Sequence, residues 1–196
     1  MNGEFISLGK SCTIRSGQTF KGRLEDYSKG TVTVLLPKDI INGSIDYNNA
    51  AKIDAATVSQ IDRHLLKKGE IIIVNKGVRF NTFLYDGLVP NVMATTAFYV
   101  ITPGKELIPE YLHWYLNQEE ARTYLADNIQ GSVIPTITKS VLMQLPVPFI
   151  TQTIQQDILE FLKRSRTELD LLKELVQIKE AFSDSYIWEL IQKYNS

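Results

Sequence analysis

The chain has 196 residues, 44% of them hydrophobic and 22% charged, with a formal net charge of −1 at pH 7; that length suits one domain with a real core plus an appendage. No apolar run approaches the roughly 18 residues that span a bilayer, Met1-Asn2-Gly3-Glu4 lacks the basic start and apolar stretch of a secretory signal, and the single cysteine, Cys12, excludes an intrachain disulfide. A cytosolic protein is therefore expected.

The first half reads as strands and turns. Thr31–Leu36, Glu70–Asn75 and Ala97–Ile101 are β-branched or aliphatic runs of strand length. Asn42-Gly43, Lys68-Gly69, Asp86-Gly87 and Pro103-Gly104 punctuate them as turns. Thr57–Lys67 is predicted as a short helix. After Pro109 the texture changes. Leu112, Tyr115, Leu116 and Leu125 fall at helical spacing within Glu110–Asn128, and Pro109 suits a first helical turn because its missing N–H costs little there. A loop over Gln130–Pro135 follows, then a short helix over Thr138–Leu145. Leu145-Pro146-Val147-Pro148-Phe149 must be extended, since proline fixes φ and excludes helix.

The last stretch is the most regular. It starts near Thr151, and Thr153 with Gln156 fits a capping box. Neither proline nor glycine occurs from Thr151 to Ser196. Leu162, Leu169 and Val176 fall seven apart, with Ile158, Leu172 and Phe182 close to the same stripe. Ser165 and Lys179 interrupt it. Roughly thirty residues of helix would reach about 45 Å, longer than a small domain needs for its own core. The heptad tendency predicts packing along another helix; a terminal helix lying across its own domain is the alternative. The division expected is a β-rich domain over 1–150 and a helical region over 151–196.

Motifs for catalysis are missing. Gly9-Lys10-Ser11 resembles the end of a phosphate-binding loop, but the glycine needed five positions before Gly9 is Glu4. The sequence contains neither the dinucleotide fingerprint G-x-G-x-x-G nor the nucleophile elbow G-x-S-x-G. His64 and His113 are the only histidines and have no nearby cysteine or second histidine, so no metal site is expected. His113, beside Trp114 in an amphipathic helix, is read as a core or rim residue. An Asn-Pro-Pro-aromatic element, with which amino-methyltransferases grip a flipped base, is also absent, so methyl transfer would have to come from another chain.

Charge and side-chain chemistry point elsewhere. Residues 1–105 hold 13 Lys/Arg against 9 Asp/Glu, and residues 106–196 hold 8 against 13. Phosphates reward positive charge, so a DNA-binding surface belongs in the first half, although an excess of this size is also ordinary scatter. Arg15–Arg23 mixes cations, small polar donors and glycines that let backbone approach a phosphate. Asn75–Thr82 is a polar loop directly after a strand. Arg can bond guanine, and Asn or Gln adenine, in a bidentate manner. Lys21, Arg23, Lys76, Arg79 and Asn81 are the first candidate DNA contacts, followed by Arg15, Gln18 and Lys139. Gln130, Ser132, Thr136 and Lys139 form a weaker third group. Each loop is also readable as a solvated turn.

The order of these features resembles a target-recognition domain of the type I restriction–modification DNA specificity subunit. The resemblance begins at Ile6-Ser7-Leu8-Gly9-Lys10 and Gly17-Gln18-Thr19, and continues through Lys38–Ile45 and Leu66–Ile72. It is strongest over Pro109–Leu116, Gly131-Ser132, Leu142–Pro148 and the helix beyond. The chain departs from the family pattern at Thr151-Gln152, where members usually carry Glu-Gln, and at Val133–Thr136. The resemblance implies an α/β (α+β) fold: a mixed, mainly antiparallel β-rich domain with a few helices, then a long coiled-coil-like spacer helix. It implies a non-catalytic subunit that reads one half of a split duplex-DNA target. It also implies adenine methyltransferase subunits as partners, with S-adenosylmethionine bound on them and no cofactor on this chain, and a restriction subunit as an optional component. Such subunits generally carry two recognition domains and two antiparallel helices. With one of each, this chain is expected to form a homodimer through Ile158, Leu162, Leu169, Leu172, Val176 and Phe182; a fragment whose partner domain lies elsewhere is the rival. A helical scaffold or adaptor of the same fold that does not bind DNA is the alternative function, and a stand-alone nuclease or methyltransferase is a third.

Overall fold

Short β-branched runs separated by turn residues bury their side chains by pairing into sheets, here both with near neighbours, as Ile71–Val74 with Thr82–Leu84, and with distant strands, as Cys12–Ser16 with Phe98–Pro103. The computed structural model describes residues 4–20, 24, 30–41, 44–77, 80–129 and 134–195. The described elements, in chain order, are β1 (Phe5–Ser7), α1 (Leu8–Ser11), β2 (Cys12–Ser16), β3 (Val32–Leu35), β4 (Ile40–Ile41), β5 (Ser44–Ile45), β6 (Ala51–Ile53), β7 (Ile71–Val74), β8 (Thr82–Leu84), β9 (Val92–Ala94), β10 (Phe98–Pro103), α2 (Pro109–Leu116), α3 (Glu119–Asp127), α4 (Lys139–Gln144), β11 (Pro146–Pro148) and α5 (Gln152–Tyr194). The chain divides into two compact units, Met1–Gln155 and Gln156–Ser196.

In the first unit, one sheet runs β2-β10-β7-β8 and another β6-β3-β9. The first is antiparallel throughout. In the second, β3 pairs antiparallel with β6 and parallel with β9. Both β3 and β7 are buried at every position, which is why they read as continuous apolar runs and not as alternating ones. Leu35, Ile72, Val74, Phe83, Val92, Phe98 and Val100 form a core that draws on both sheets. Val32, Val34, Ile53, Val58 and Met93 form a second cluster around the smaller sheet.

The Pro146-Val147-Pro148 segment pairs antiparallel with β1, Val147 facing Ile6. Proline cannot donate to a ladder, so it tolerates such an edge pairing. Leu8 N donates to Leu145 O at 2.8 Å and Phe149 N to Glu4 O at 2.7 Å, closing both ends. The N-terminal strand is thereby joined to the segment that leads into α5.

Four expectations need correction. Thr57–Lys67 is not a helix: one 3-10 turn, Ala55–Thr57, ends where it begins, a second lies at Ile61–Arg63, and Gln60 between them has φ 52°, a left-handed conformation that breaks helical hydrogen bonding. The single helix expected over Glu110–Asn128 is two, α2 and α3. Asn117 sits at the break and donates Nδ2 to Thr82 Oγ1 at 2.6 Å and to His113 O at 2.9 Å. The helix expected to run about thirty residues runs 43, about 64 Å of axis. Finally, Thr153 is already helical, so the cap falls on Thr151, whose Oγ1 faces Ile154 N at 3.5 Å.

Candidate nucleic-acid interface

The loop after β7 is held from three directions. Asn75 is buried; its N donates to Ala97 O at 3.0 Å and its Nδ2 to Thr96 O at 2.8 Å. Ile137 N donates to Asn75 O at 2.9 Å and Gly77 N to Pro135 O at 2.8 Å. Lys76 faces Thr136 in an isolated antiparallel bridge. Gly77 has φ 99°, a turn conformation that other residues reach only with strain. The second and third candidate groups, far apart in sequence, therefore meet at Lys76 and Thr136.

Gln18 is set by equally close contacts. Its N donates to Ala94 O at 2.7 Å and its carbonyl accepts from Thr96 N at 3.1 Å. A Cβ at Gly17 would lie 2.2 Å from Thr95 O, so only glycine permits this approach. Gln18 and Lys76 then line one open cavity of about 520 Å³, together with Lys38, Asn49, Thr95 and Thr96. Phe20 and Leu24 supply apolar wall. Among the described residues the side chains of Gln18 and Lys76 have no protein partner, and no acidic side chain lines the cavity.

Sequence reasoning missed Lys38 and Asn49. Both are fixed by carboxylates outside the cavity lining. Asp39 is buried and accepts from Leu36 N at 2.8 Å, which locks the 3-10 turn Pro37–Asp39 and presents the exposed Lys38. Lys38 Nζ lies 3.7 Å from Asp39 Oδ1. Asn49 donates Nδ2 to Asp46 Oδ2 at 2.6 Å and its N to Asp46 Oδ1 at 3.3 Å. These bonds, with that from Asn48 N, hold the Asp46 carboxyl below its ordinary range. The only available signal was the Lys38-Asp39 block, which was legible as part of the family pattern.

The other candidates are placed differently. Arg15 lies on β2, and its Nη2 donates to Glu70 Oε2 at 2.8 Å and Leu65 O at 3.2 Å. Glu70 is 4% exposed and also accepts from Lys67 N at 2.9 Å and Thr102 Oγ1 at 2.7 Å. Arg15 thus neutralises a buried carboxylate. Asn81 is half-buried, and its carbonyl accepts from Val74 N at 3.2 Å ahead of β8. Lys139 is exposed in the first turn of α4, which Thr138 caps by accepting from Val141 N at 3.2 Å. Neither Asn81 nor Lys139 lines the cavity. Lys21, Arg23 and Arg79 lie outside the described residues, as do the Asn42-Gly43 turn and Gln130 to Val133. His113 is structural: Nε2 bonds Thr82 O at 3.1 Å, and since a carbonyl only accepts, the ring donates. Among the described residues no cluster of His, Cys, Asp or Glu could hold a metal, and no helix is long and apolar enough to cross a membrane.

The root of α5 is fixed by Gln155, fully buried, which sequence reasoning also missed. Its Oε1 accepts from Ile108 N at 2.8 Å; its Nε2 donates to Glu106 O at 2.8 Å and Ile150 O at 3.0 Å. Beyond it, Leu169, Leu172, Val176 and Phe182 are 50%, 51%, 56% and 70% exposed, and Ile158 and Leu162 are half-buried. Ion pairs at helical spacing support the polar side: Arg164 with Glu160, Arg166 with Asp170 at 3.4 Å, and Lys193 with Glu189 at 2.9 Å, each contributing a few tenths of a kcal/mol.

Known proteins share this architecture. A chain from the structure described as "Structural basis underlying complex assembly and conformational transition of the type I R-M system" superposes with TM-score 0.65 at 16% identity, over 91% of this chain and 42% of that one. The HsdS subunit from Thermoanaerobacter tengcongensis gives TM-score 0.63 at 17% identity, over 87% and 39%. The type I restriction–modification S subunit from M. genitalium gives 0.57 at 18%, over 94% and 45%. In sequence, the chain is 24% identical over 148 residues to the type I restriction enzyme MjaIX specificity subunit of Methanocaldococcus jannaschii, which covers 74% of this chain but only 33% of that protein. The chain therefore spans about a third of the length of this curated relative. The family described as "Type I restriction modification DNA specificity domain" matches residues 2–180. The chain belongs to the type I restriction–modification DNA specificity family.

Proposed function

We propose that this chain reads one half of a split duplex-DNA target and presents it to docked adenine methyltransferase subunits, with a restriction subunit as an optional component. The family supplies specificity and is non-catalytic, so no reaction is assigned to the chain, and S-adenosylmethionine belongs to the partner subunits. In this reading residues 1–150 contact DNA and residues 151–196 act as spacer and dimer seam. The observation that carries it is the convergence of Gln18 and Lys76 on one cavity that no acidic side chain among the described residues lines, inside a family match that spans both.

A homodimer fits the apolar surface of α5. Full burial of a Leu, Val or Phe side chain contributes about 1.5–3 kcal/mol, and Leu169, Leu172, Val176 and Phe182 each keep half or more of that surface exposed. A two-fold dimer would read a palindromic split target, since protein symmetry is mirrored in the site. Two measurements test the proposal. Fluorescence anisotropy in low salt, with and without the methyltransferase subunits, should show duplex binding; none under either condition would leave a scaffold role. Light scattering at micromolar concentration, with and without DNA, should give twice the monomer mass; a monomer in both removes the homodimer.

A further inference from the structure

We propose that the cavity holding Lys38, Lys76, Gln18 and Asn49 seats the sugar–phosphate backbone of duplex DNA and takes no part in discriminating bases. The inference rests on the DNA-reading function above and assigns a division of labour within it. Shape is the first reason. The backbone is the convex ridge of a duplex, whereas base edges lie on the floor of a groove and are reached by elements that project into it. A recessed space of about 520 Å³ suits a ridge better than a groove floor.

Chemistry is the second reason. Phosphate oxygens only accept hydrogen bonds and carry charge, and an ammonium serves them as a mobile point charge. Lys38 and Lys76 bring two such groups to one cavity from segments 38 residues apart, and no acidic side chain among the described residues lines it. Gln18 adds an amide, and Asn49, whose Nδ2 already gives one N–H to Asp46, keeps the other to donate. Arg15 is excluded from this role by its 2.8 Å pair with Glu70 and its bond to Leu65 O, whereas Lys38, 3.7 Å from Asp39, keeps a side chain that is 69% exposed.

Rigidity is the third. The backbones that carry both lysines are fixed before any ligand arrives. Asp39 locks the turn under Lys38 through Leu36 N, and Asn75 ties the base of the Lys76 loop to Thr96 and Ile137. A preset pair of cations is what a backbone clamp needs, since register is set by phosphates and sequence is read elsewhere.

The test uses the full chain and a labelled random-sequence duplex pool. Binding is measured across a salt series for the unmodified chain, Lys38→Ala, Lys76→Ala and the double variant, and the motif enriched from the pool is sequenced for each. Both lysines are exposed, but Lys38 also stands 3.7 Å from the buried Asp39 carboxylate, so Lys76→Ala should keep the parent thermal midpoint, Lys38→Ala is measured well below its own midpoint, and Lys38→Arg with Lys76→Arg should retain binding. The expected result is a slope of log affinity against log salt that is shallower by about 0.9 per variant, an affinity loss of about fivefold each near ~0.15 M salt, and an unchanged enriched motif. An unchanged slope in the double variant overturns the inference. So does a motif that becomes degenerate at one position, which would make these side chains base readers. Either outcome leaves the DNA-reading function standing. An unmodified chain that binds no duplex at low salt removes both.

Discussion

Arg15→Ala distinguishes a structural cation from a DNA contact. Glu70 is 4% exposed and holds three donors, from Arg15, Lys67 N and Thr102 Oγ1. Without Arg15 the carboxylate keeps two neutral donors and no counter-charge. Breaking a buried ion pair by removing one partner costs about 3–5 kcal/mol. The Arg15 side chain is 27% exposed, so water replaces part of the loss and about 2–3 kcal/mol is the working figure. For a unit of this size that lowers the thermal midpoint by about 4–12 °C. Glu70→Gln in the Arg15→Ala background should recover part of it, because no buried charge then lacks a partner. The assay is thermal and urea unfolding of the unmodified chain and both variants, paired with duplex binding well below the midpoint. Folded Arg15→Ala should bind with an unaltered salt slope. An unchanged midpoint with lost binding would refute the reasoning and return Arg15 to the interface.

Further predictions follow from single sites. Gln155→Ala should destabilise the first unit by about 2–3 kcal/mol, since Ile108 N–H, Glu106 O and Ile150 O all lose a buried partner; urea unfolding reads it, and a change below about 0.5 kcal/mol would contradict it. Tyr115 is 6% exposed and donates to Pro146 O at 2.7 Å. Burial first, then the charges of Glu120 and Tyr111, push its hydroxyl up to about 12. A folded pKa above the ordinary value near 10 means that the stability is fully present below about pH 10 and is lost as pH rises toward 12. Tyr115→Phe should therefore flatten the stability profile across that alkaline window; an unchanged profile would contradict the assignment. Leu172→Glu with Val176→Glu should convert the proposed dimer to monomer in light scattering while the Met1–Gln155 unit keeps its unfolding transition.

Much of the fold was legible because burial writes itself into composition. β7 and β10 are the apolar runs expected, and β7 has all its residues buried. Pro146 and Pro148 announced an extended segment, but its partner β1 lies about 140 residues away, and pairing at that separation leaves no local trace. The break at Asn117 was invisible for the same reason: its anchor, Thr82, is 35 residues distant. Gln155 looked like one more polar residue on a helix, because three backbone partners cannot be read from a side chain type. Loop composition singled out Gln18 and Lys76, which line the candidate cavity, whereas Lys38 and Asn49 reach it from other segments entirely. Arg15 shows the converse limit. A cation in a polar stretch reads the same whether it faces phosphate or a buried glutamate.

The most direct test is the methylated-adenine motif in a genome expressing this chain with its methyltransferase subunits. The account predicts adenine methylation at a split motif whose halves are inverted copies of one another, and its disappearance when the chain is deleted. Methylation that persists without the chain, or a motif left unchanged when residues 1–150 are exchanged for those of another family member, would contradict it.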